Sequence, residues 1–370
     1  MPPSNEAAWL TGTKKIPLEV KPAPYTAPDA NKLVIRNAAV AINPIDWLKQ
    51  VRGDMIYPWV KYPFILGTDV AGEVVEIGPN VTGFQVGDRV VSFALGPSPS
   101  RNNASQSAFQ RYVVLEEHMT TKIPDGMPYE TAAVMPLALS TAACGLFQDD
   151  TLRLDLPSPV KPKPTGKTLL IWGGSTSVGV NAIQLAVSAG YEVFTTSSPR
   201  NFDLLRRLGA SRVFDYNSAT VVRDIIADFK GKTTAGALSI GQGAAEACLD
   251  ILGKCQGNRF LAMATYPVPQ HPPKYLATPY TIWVYLTSLL SYAIKSRLRG
   301  IQWKMISGST LTDNGVGKAI YTEYLGEALA SGSFVPAPEP MVTGKGLEKI
   351  QEAFEIHMKG VSAKKVVVSL

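Results

Sequence analysis

Residues 168–190 read TLLIWGGSTSVGVNAIQLAVSAG: an apolar run, a turn of small residues, then a helix-forming stretch whose apolar positions include Val178, Ile183, Leu185 and Val187. Small residues let the backbone of Gly174, Ser175, Thr176, Ser177 and Val178 approach a pyrophosphate, and the first N–H groups of the helix meet its charge. Gly174-x-Thr176-x-x-Gly179 keeps the dinucleotide fingerprint at its first and third positions and puts threonine at the second. An ordinary tight turn between strand and helix uses the same residues. The strand–turn–helix context is the one the motif requires.

The end of the following strand selects the cofactor. An NAD site places Asp or Glu about 20 residues further on, bonded to the ribose 2′-hydroxyl. Here the chain reads Thr195-Thr196-Ser197-Ser198-Pro199-Arg200-Asn201, without a carboxylate. Ser197, Ser198 and Arg200 supply two hydroxyls and a guanidinium for a 2′-phosphate, which predicts NADPH. Ser198-Pro199 also suits a helix N-cap with proline at the first position, and both roles are compatible.

The remaining composition narrows the partners. The 370 residues carry a net charge of +6, with 45% hydrophobic and 18% charged residues, which is globular. Basic residues occur in small groups (Lys161/Lys163, Arg206/Arg207, Lys295/Arg297/Arg299), too short for a nucleic-acid stripe. The mild positive excess suits an anionic cofactor or a phosphopantetheine-linked substrate. Three cysteines point to a reducing compartment and leave no CxxC pair for structural zinc. His118, His271 and His357 are widely separated and lack ligand spacing. The start has no signal-peptide pattern, and the apolar run 281–294 falls short of the roughly 20 residues of a membrane span. No membrane partner and a cytoplasmic location are therefore expected. The run reads as a segment at the edge of the second domain, with an oligomer contact as the other reading.

Two textures organise the chain. Up to about residue 125, short alternating runs such as 33–43, 71–78, 87–93 and 108–115, separated by turn formers, predict an antiparallel β-rich domain. The stretch 131–147 is helical in composition, with Pro136 breaking it. The proline-rich segment 154–167 reads as a stiff exposed junction. Beyond it, strands alternate with helices near 177–190, 201–208 and 218–230, which predicts an α/β, doubly wound parallel sheet. A last helix and the strand KKVVVSL return to the first domain. The expected division is 1–150 with 317–370, and 151–316.

AINPIDWLKQ (41–50), PFILGTDVAGEVVEIGPNVTGFQVGDRV (63–90) and GGSTSVGVNAIQLA (173–186) together resemble the zinc-independent medium-chain dehydrogenases/reductases, the group of quinone oxidoreductases and enoyl reductases. GTDVAG (67–72), GGST (173–176), SPRNFDL (198–204) and VFDY (213–216) are similar to the trans-acting enoyl reductases of fungal polyketide synthases. The resemblance implies a GroES-like β-rich catalytic domain beside a Rossmann domain. Zinc-dependent relatives carry Cys at the position of Asn43, a His-Glu pair at Thr68-Asp69, and four cysteines around 95–110, where this chain has none; no metal is expected. The resemblance also places the loop after INP and the segment LALSTAA beside the nicotinamide.

In that setting Lys49 is a candidate donor to an enolate oxygen, or a surface lysine. Thr141 offers a hydroxyl, or a bond back to its own helix. Asn43 is a candidate partner of cofactor or substrate, or a turn former before Pro44. Tyr216 is expected beside the adenine, and the backbone around Ile240 and Leu261 near the nicotinamide. The implied reaction is NADPH-dependent hydride transfer to the β-carbon of an α,β-unsaturated carbonyl or enoyl thioester, small or carrier-bound, with the acyl-carrier domain of a synthase as a possible partner. Quinone or aldehyde reduction, or cofactor binding without catalysis, are the alternatives on the same scaffold.

Overall fold

The structure is a computed structural model that describes residues 3–160, 162–269, 273 and 275–370. Lys161, His271 and part of the segment 269–280 lie outside the described residues. The chain forms two compact units, residues 1–140 with 312–370, and residues 141–311. The expected boundaries at 150/151 and 316/317 are thus replaced by 140/141 and 311/312. The proline-rich stretch is no junction. Ser158 and Thr165 donate their backbone N–H groups to Ser188 and Gly190, which ties it to a helix end inside the second unit. The division falls within the helix Pro136–Phe147, where a Cβ added at Gly145 would already meet Ile306 and Leu238 of the second unit. Pro136 opens that helix after the short helix Tyr129–Ala132, so the expected break is a helix start. The stretch Tyr129–Phe147 is long and apolar enough for a span, but 78% of its apolar window is buried in the protein.

The first unit is β-rich. Its larger sheet runs Glu339–Lys345, Lys364–Ser369, Lys32–Ala41, Asp69–Ile77, Arg89–Phe93, Thr120–Lys122, with Tyr112–Glu116 also paired to Lys32–Ala41. All these pairs are antiparallel except that between Glu339–Lys345 and Lys364–Ser369. Alternation in Lys32–Ala41 sends Leu33 and Ile35 into a core shared with Val70, Phe109, Phe354 and Val366. The C-terminal strand returns as expected, Val367 pairing with Ala41.

Helix Pro44–Arg52 is held to helix Ile350–Met358 through Trp47, whose indole N–H donates to Nδ1 of His357 at 3.0 Å. Burial, and secondarily the Lys365 charge, push the His357 pKa down to about 4, so the folded protein keeps the imidazole neutral as an acceptor. The unfolded chain takes up the proton near pH 6.5. Stability from this group is therefore present above about pH 6.5 and lost as pH falls toward 4. His357→Gln, which keeps an acceptor but cannot titrate, is expected to show a smaller fall in melting temperature between those values. Parallel melting curves of both proteins check this.

The second unit holds six main parallel strands, here β1 (Lys167–Trp172), β2 (Glu192–Ser197), β3 (Arg212–Asp215), β4 (Thr233–Ser239), β5 (Phe260–Met263) and β6 (Gln302–Met305). Their order is 3-2-1-4-5-6, the doubly wound arrangement. Helices Ser177–Ser188, Phe202–Arg207, Val221–Asp228 and Ala244–Leu252 provide crossovers, and Ile225, Leu249, Leu252 and Phe194 fill the core. Strand order reverses between β1 and β4, which opens a crevice at their carboxyl ends.

Candidate functional site

The glycine-rich turn lies at that crevice. Thr176 caps helix Ser177–Ser188: its hydroxyl accepts from the Gly179 N–H at 3.0 Å and donates to the Gly173 carbonyl at 2.7 Å. The threonine at the fingerprint's second position therefore closes the turn. Ser177 and Val178 lie in the first helical turn, where backbone N–H groups have no intrahelical acceptor. Gly173 adopts φ 90°, and the turn is tied to β2 through Gly173 N–H to the Thr196 hydroxyl (3.0 Å) and Gly174 N–H to the Thr196 carbonyl (2.9 Å).

A Cβ at Gly179 would stand 2.3 Å from the Gly173 oxygen and 2.7 Å from the Gly174 Cα, both backbone. That close approach is what a pyrophosphate cradle needs, so the turn fits a dinucleotide. Gly179→Ala is expected to push the turn open. It should lower cofactor affinity about tenfold or more and stability by about 1–3 kcal/mol, measured by cofactor titration and chemical unfolding.

The 2′-phosphate candidates gather at the same end of the sheet. Ser197 closes β2, buried, with its hydroxyl donating to the Ser198 carbonyl at 3.2 Å. The hydroxyls of Ser198 and Tyr216 are 3.2 Å apart, which joins the ends of β2 and β3. Arg200 is exposed in the turn Pro199–Asn201, and Tyr216 is exposed just after β3. Asp215 pairs in register with Ser197, but its carboxylate accepts from the Asn217 backbone and side-chain amides.

On the other side of the reversal, Ile240 donates its N–H to the Trp172 carbonyl, and Gly241 donates to the Thr265 hydroxyl at 2.8 Å. Ile240 is half-buried at the strand end. Leu261 lies inside β5 with its side chain fully buried in the core, and the carboxyl end of that strand is Met263. The second unit thus brings Gly174–Val178, Ser197, Ser198, Arg200, Tyr216 and Ile240 to one end of the sheet and leaves Leu261 below it.

The candidate catalytic residues are placed differently. Asn43 is buried, and its amide donates to the Thr68 hydroxyl (3.2 Å) and Asp69 Oδ2 (2.8 Å) while its oxygen accepts from Lys365 Nζ at 2.5 Å. Lys365 is also ion-paired with Asp69 at 3.0 Å, and the other Asp69 oxygen accepts from the Leu137 N–H at 2.7 Å. Asp46 accepts from the Asn43 backbone N–H at 2.8 Å, and burial pushes its pKa up to about 8. Asn43, Thr68 and Asp69 are therefore bonded to one another and to the buried Lys365 ammonium.

Lys49 is fully buried. It pairs with Asp54 at 3.0 Å, donates to the Tyr57 carbonyl at 3.2 Å, and lies 4.8 Å from the Tyr62 ring centroid. Thr141 is half-buried on helix Pro136–Phe147, next to Ser140, whose hydroxyl is 2.8 Å from that of the buried Tyr321. Lys365 and Tyr321 were not legible as site neighbours. The one available signal is a lysine at an inward position of the buried strand 364–369, and nothing in its spacing points to Asp69. Among the described residues, no group of three or more His, Cys, Asp or Glu side chains comes together as a metal site.

Residues 29–125 match the alcohol dehydrogenase GroES-like domain. The chain is 56% identical to dehydrogenase pigH of Monascus ruber over 369 residues, covering 100% of each. It is 38% identical to trans-enoyl reductase himH of Aspergillus japonicus, covering 99% of this chain and 97% of that one. The chain belongs to the medium-chain dehydrogenase/reductase family. As a medium-chain reductase it is an oxidoreductase, and its turn suits a nicotinamide dinucleotide. At the level of fold, the CurK enoyl reductase superposes with TM-score 0.72 at 19% identity, covering 99% of both chains. A mycobacterial protein solved in complex with NADPH superposes with TM-score 0.67 at 23% identity, covering 99% of this chain and 100% of that one.

Proposed function

We propose that this medium-chain reductase uses NADPH to reduce an α,β-unsaturated carbonyl or enoyl thioester, small or carrier-bound, without a metal. The carrying observation is the end of β2, where Ser197, Ser198 and Arg200 follow the strand without a carboxylate of their own, while Asp215 on the neighbouring strand is engaged by Asn217. Gly174–Val178 would hold the pyrophosphate, and the Ser198/Arg200 corner the 2′-phosphate. Bound NADPH supplies a hydride. The trans-enoyl reductase relatives support the enoyl class.

The protein's own part is orientation and charge. Thr141 offers a hydroxyl to the acceptor or the carboxamide. Lys49 acts by fixing the loop 53–62 through Asp54 and Tyr57. Asn43 and Lys365 hold the corner at Thr68-Asp69 rigid. Thr141→Ala is expected to lower turnover with an unchanged melting temperature, whereas Lys49→Ala lowers the melting temperature as well. The testing experiment is NADPH oxidation across crotonyl-type thioesters, enones, quinones and aldehydes. Turnover with thioesters or enones supports the reading, and turnover with quinones or aldehydes alone replaces it.

A further inference from the structure

The helix Pro136–Phe147, which carries Thr141, is gripped at its first turn by two side chains of the first unit. Asp69 is one: its carboxylate accepts from the Leu137 N–H at 2.7 Å. Tyr321 is the other. Its hydroxyl donates to the Pro136 carbonyl at 2.9 Å, and the Ser140 hydroxyl stands 2.8 Å away. A phenol has one proton to give and Pro136 takes it, so Ser140 donates to the Tyr321 oxygen. Both side chains are buried, Tyr321 at 1% and Ser140 at 0% exposure. Burial also raises the Tyr321 pKa, which keeps the hydroxyl protonated and a donor.

Tyr321 is itself held at an unusual place. It lies in the π-helical turn Ala319–Tyr324, between the helices Gly315–Lys318 and Leu325–Ser331. Its backbone carbonyl accepts from the Thr121 hydroxyl on the strand Thr120–Lys122, a side-chain bond entering where the helical ladder widens. Such turns are rare and recur at functional sites. Packing alone does not ask for the hydroxyl. A phenylalanine fills nearly the same space, and a buried O–H must find partners.

We propose that Tyr321 is a positioning residue: through Pro136 and Ser140 it fixes the turn of helix from which Thr141 offers its hydroxyl. Successive helical residues are 100° apart, so Ser140 serves the Tyr321 side while half-buried Thr141 leaves the helix in another direction. Tyr321 and Asp69 hold neighbouring atoms of one turn, the carbonyl of Pro136 and the N–H of Leu137. Tyr321 acts only through the helix, and a slip of that turn moves the Thr141 hydroxyl. Small misplacements of a reacting group are costly. The inference rests on the role of Thr141 in the proposed function.

A double-mutant cycle of Tyr321→Phe and Thr141→Ala tests this, read with NADPH and the best acceptor among thioesters, enones, quinones and aldehydes. Tyr321→Phe is expected to lower kcat about tenfold, with the Michaelis constant for NADPH unchanged and the melting temperature lower by no more than a few degrees. In the Thr141→Ala background the same change should cost less than about twofold, because the group it positions is gone. Ser140→Ala breaks the contact from the helix side. It should lower kcat in the same direction, and it takes the place of Tyr321→Phe in the cycle should that variant not fold. An equal loss in both backgrounds, or a fallen melting temperature with unchanged kcat, overturns the proposal. Unchanged turnover of Thr141→Ala alone removes the role of Thr141 and this inference with it. Turnover confined to quinones or aldehydes replaces the enoyl reading instead, and the cycle run on that acceptor still decides on Tyr321.

Discussion

Lys365→Met is expected to destabilise the β-rich unit by about 3–5 kcal/mol, the cost of breaking a buried ion pair from one side. The Lys365 and Asp69 side chains are 3% and 0% exposed, and their charged atoms are 3.0 Å apart. With the ammonium gone, Asp69 keeps the Leu137 N–H and the Asn43 amide as donors, two neutral groups that offset a carboxylate removed from water less than an ammonium does. Asn43 also loses the Lys365 ammonium as a partner of its oxygen. The double variant Lys365→Met/Asp69→Asn removes both charges and keeps an oxygen for Leu137, so it should regain more than half of the loss. Urea unfolding, followed through the transition of this unit, measures both. A single variant as stable as the parent would show that the pair does not hold the Asn43/Thr68-Asp69 corner.

The second large effect concerns cofactor choice. Arg200→Ala should raise the Michaelis constant for NADPH about tenfold to a hundredfold and leave that for NADH nearly unchanged, since a hydrogen bond to a charged group contributes about 1.5–3 kcal/mol. Ser198→Ala should act in the same direction with a smaller effect, because its hydroxyl shares the corner with Tyr216 at 3.2 Å. Steady-state kinetics with both cofactors checks the pair. Equal losses with NADPH and NADH would mean that Arg200 supports the turn instead of the phosphate.

These two predictions differ in how far sequence alone leads to them. The corner proposed for the nucleotide is local: turn, cap and strand end lie within 168–201, so their types and spacing announce their geometry, and β-α alternation supplies the sheet around them. The β-rich unit is legible as a class for the same reason, through alternation in runs such as 32–41. The Asn43 corner is different. Its partners come from residues 43, 68–69, 137 and 365, and strand order alone brings Lys365 beside Asp69. Lys49 misleads in the opposite way, since a lysine on a short helix reads as exposed until Asp54, Tyr57 and Tyr62 are seen to enclose it. The expected junction at 154–167 rests on prolines, which describe stiffness but not what the segment packs on.

The proposed function stands on the bend after Trp172 receiving a phosphorylated dinucleotide. Calorimetric titration of the purified protein with NADPH and with NADH tests this most directly. The account predicts saturable binding of NADPH, tighter than that of NADH by about tenfold or more. Absence of NADPH binding, or equal affinity for the two, would contradict it.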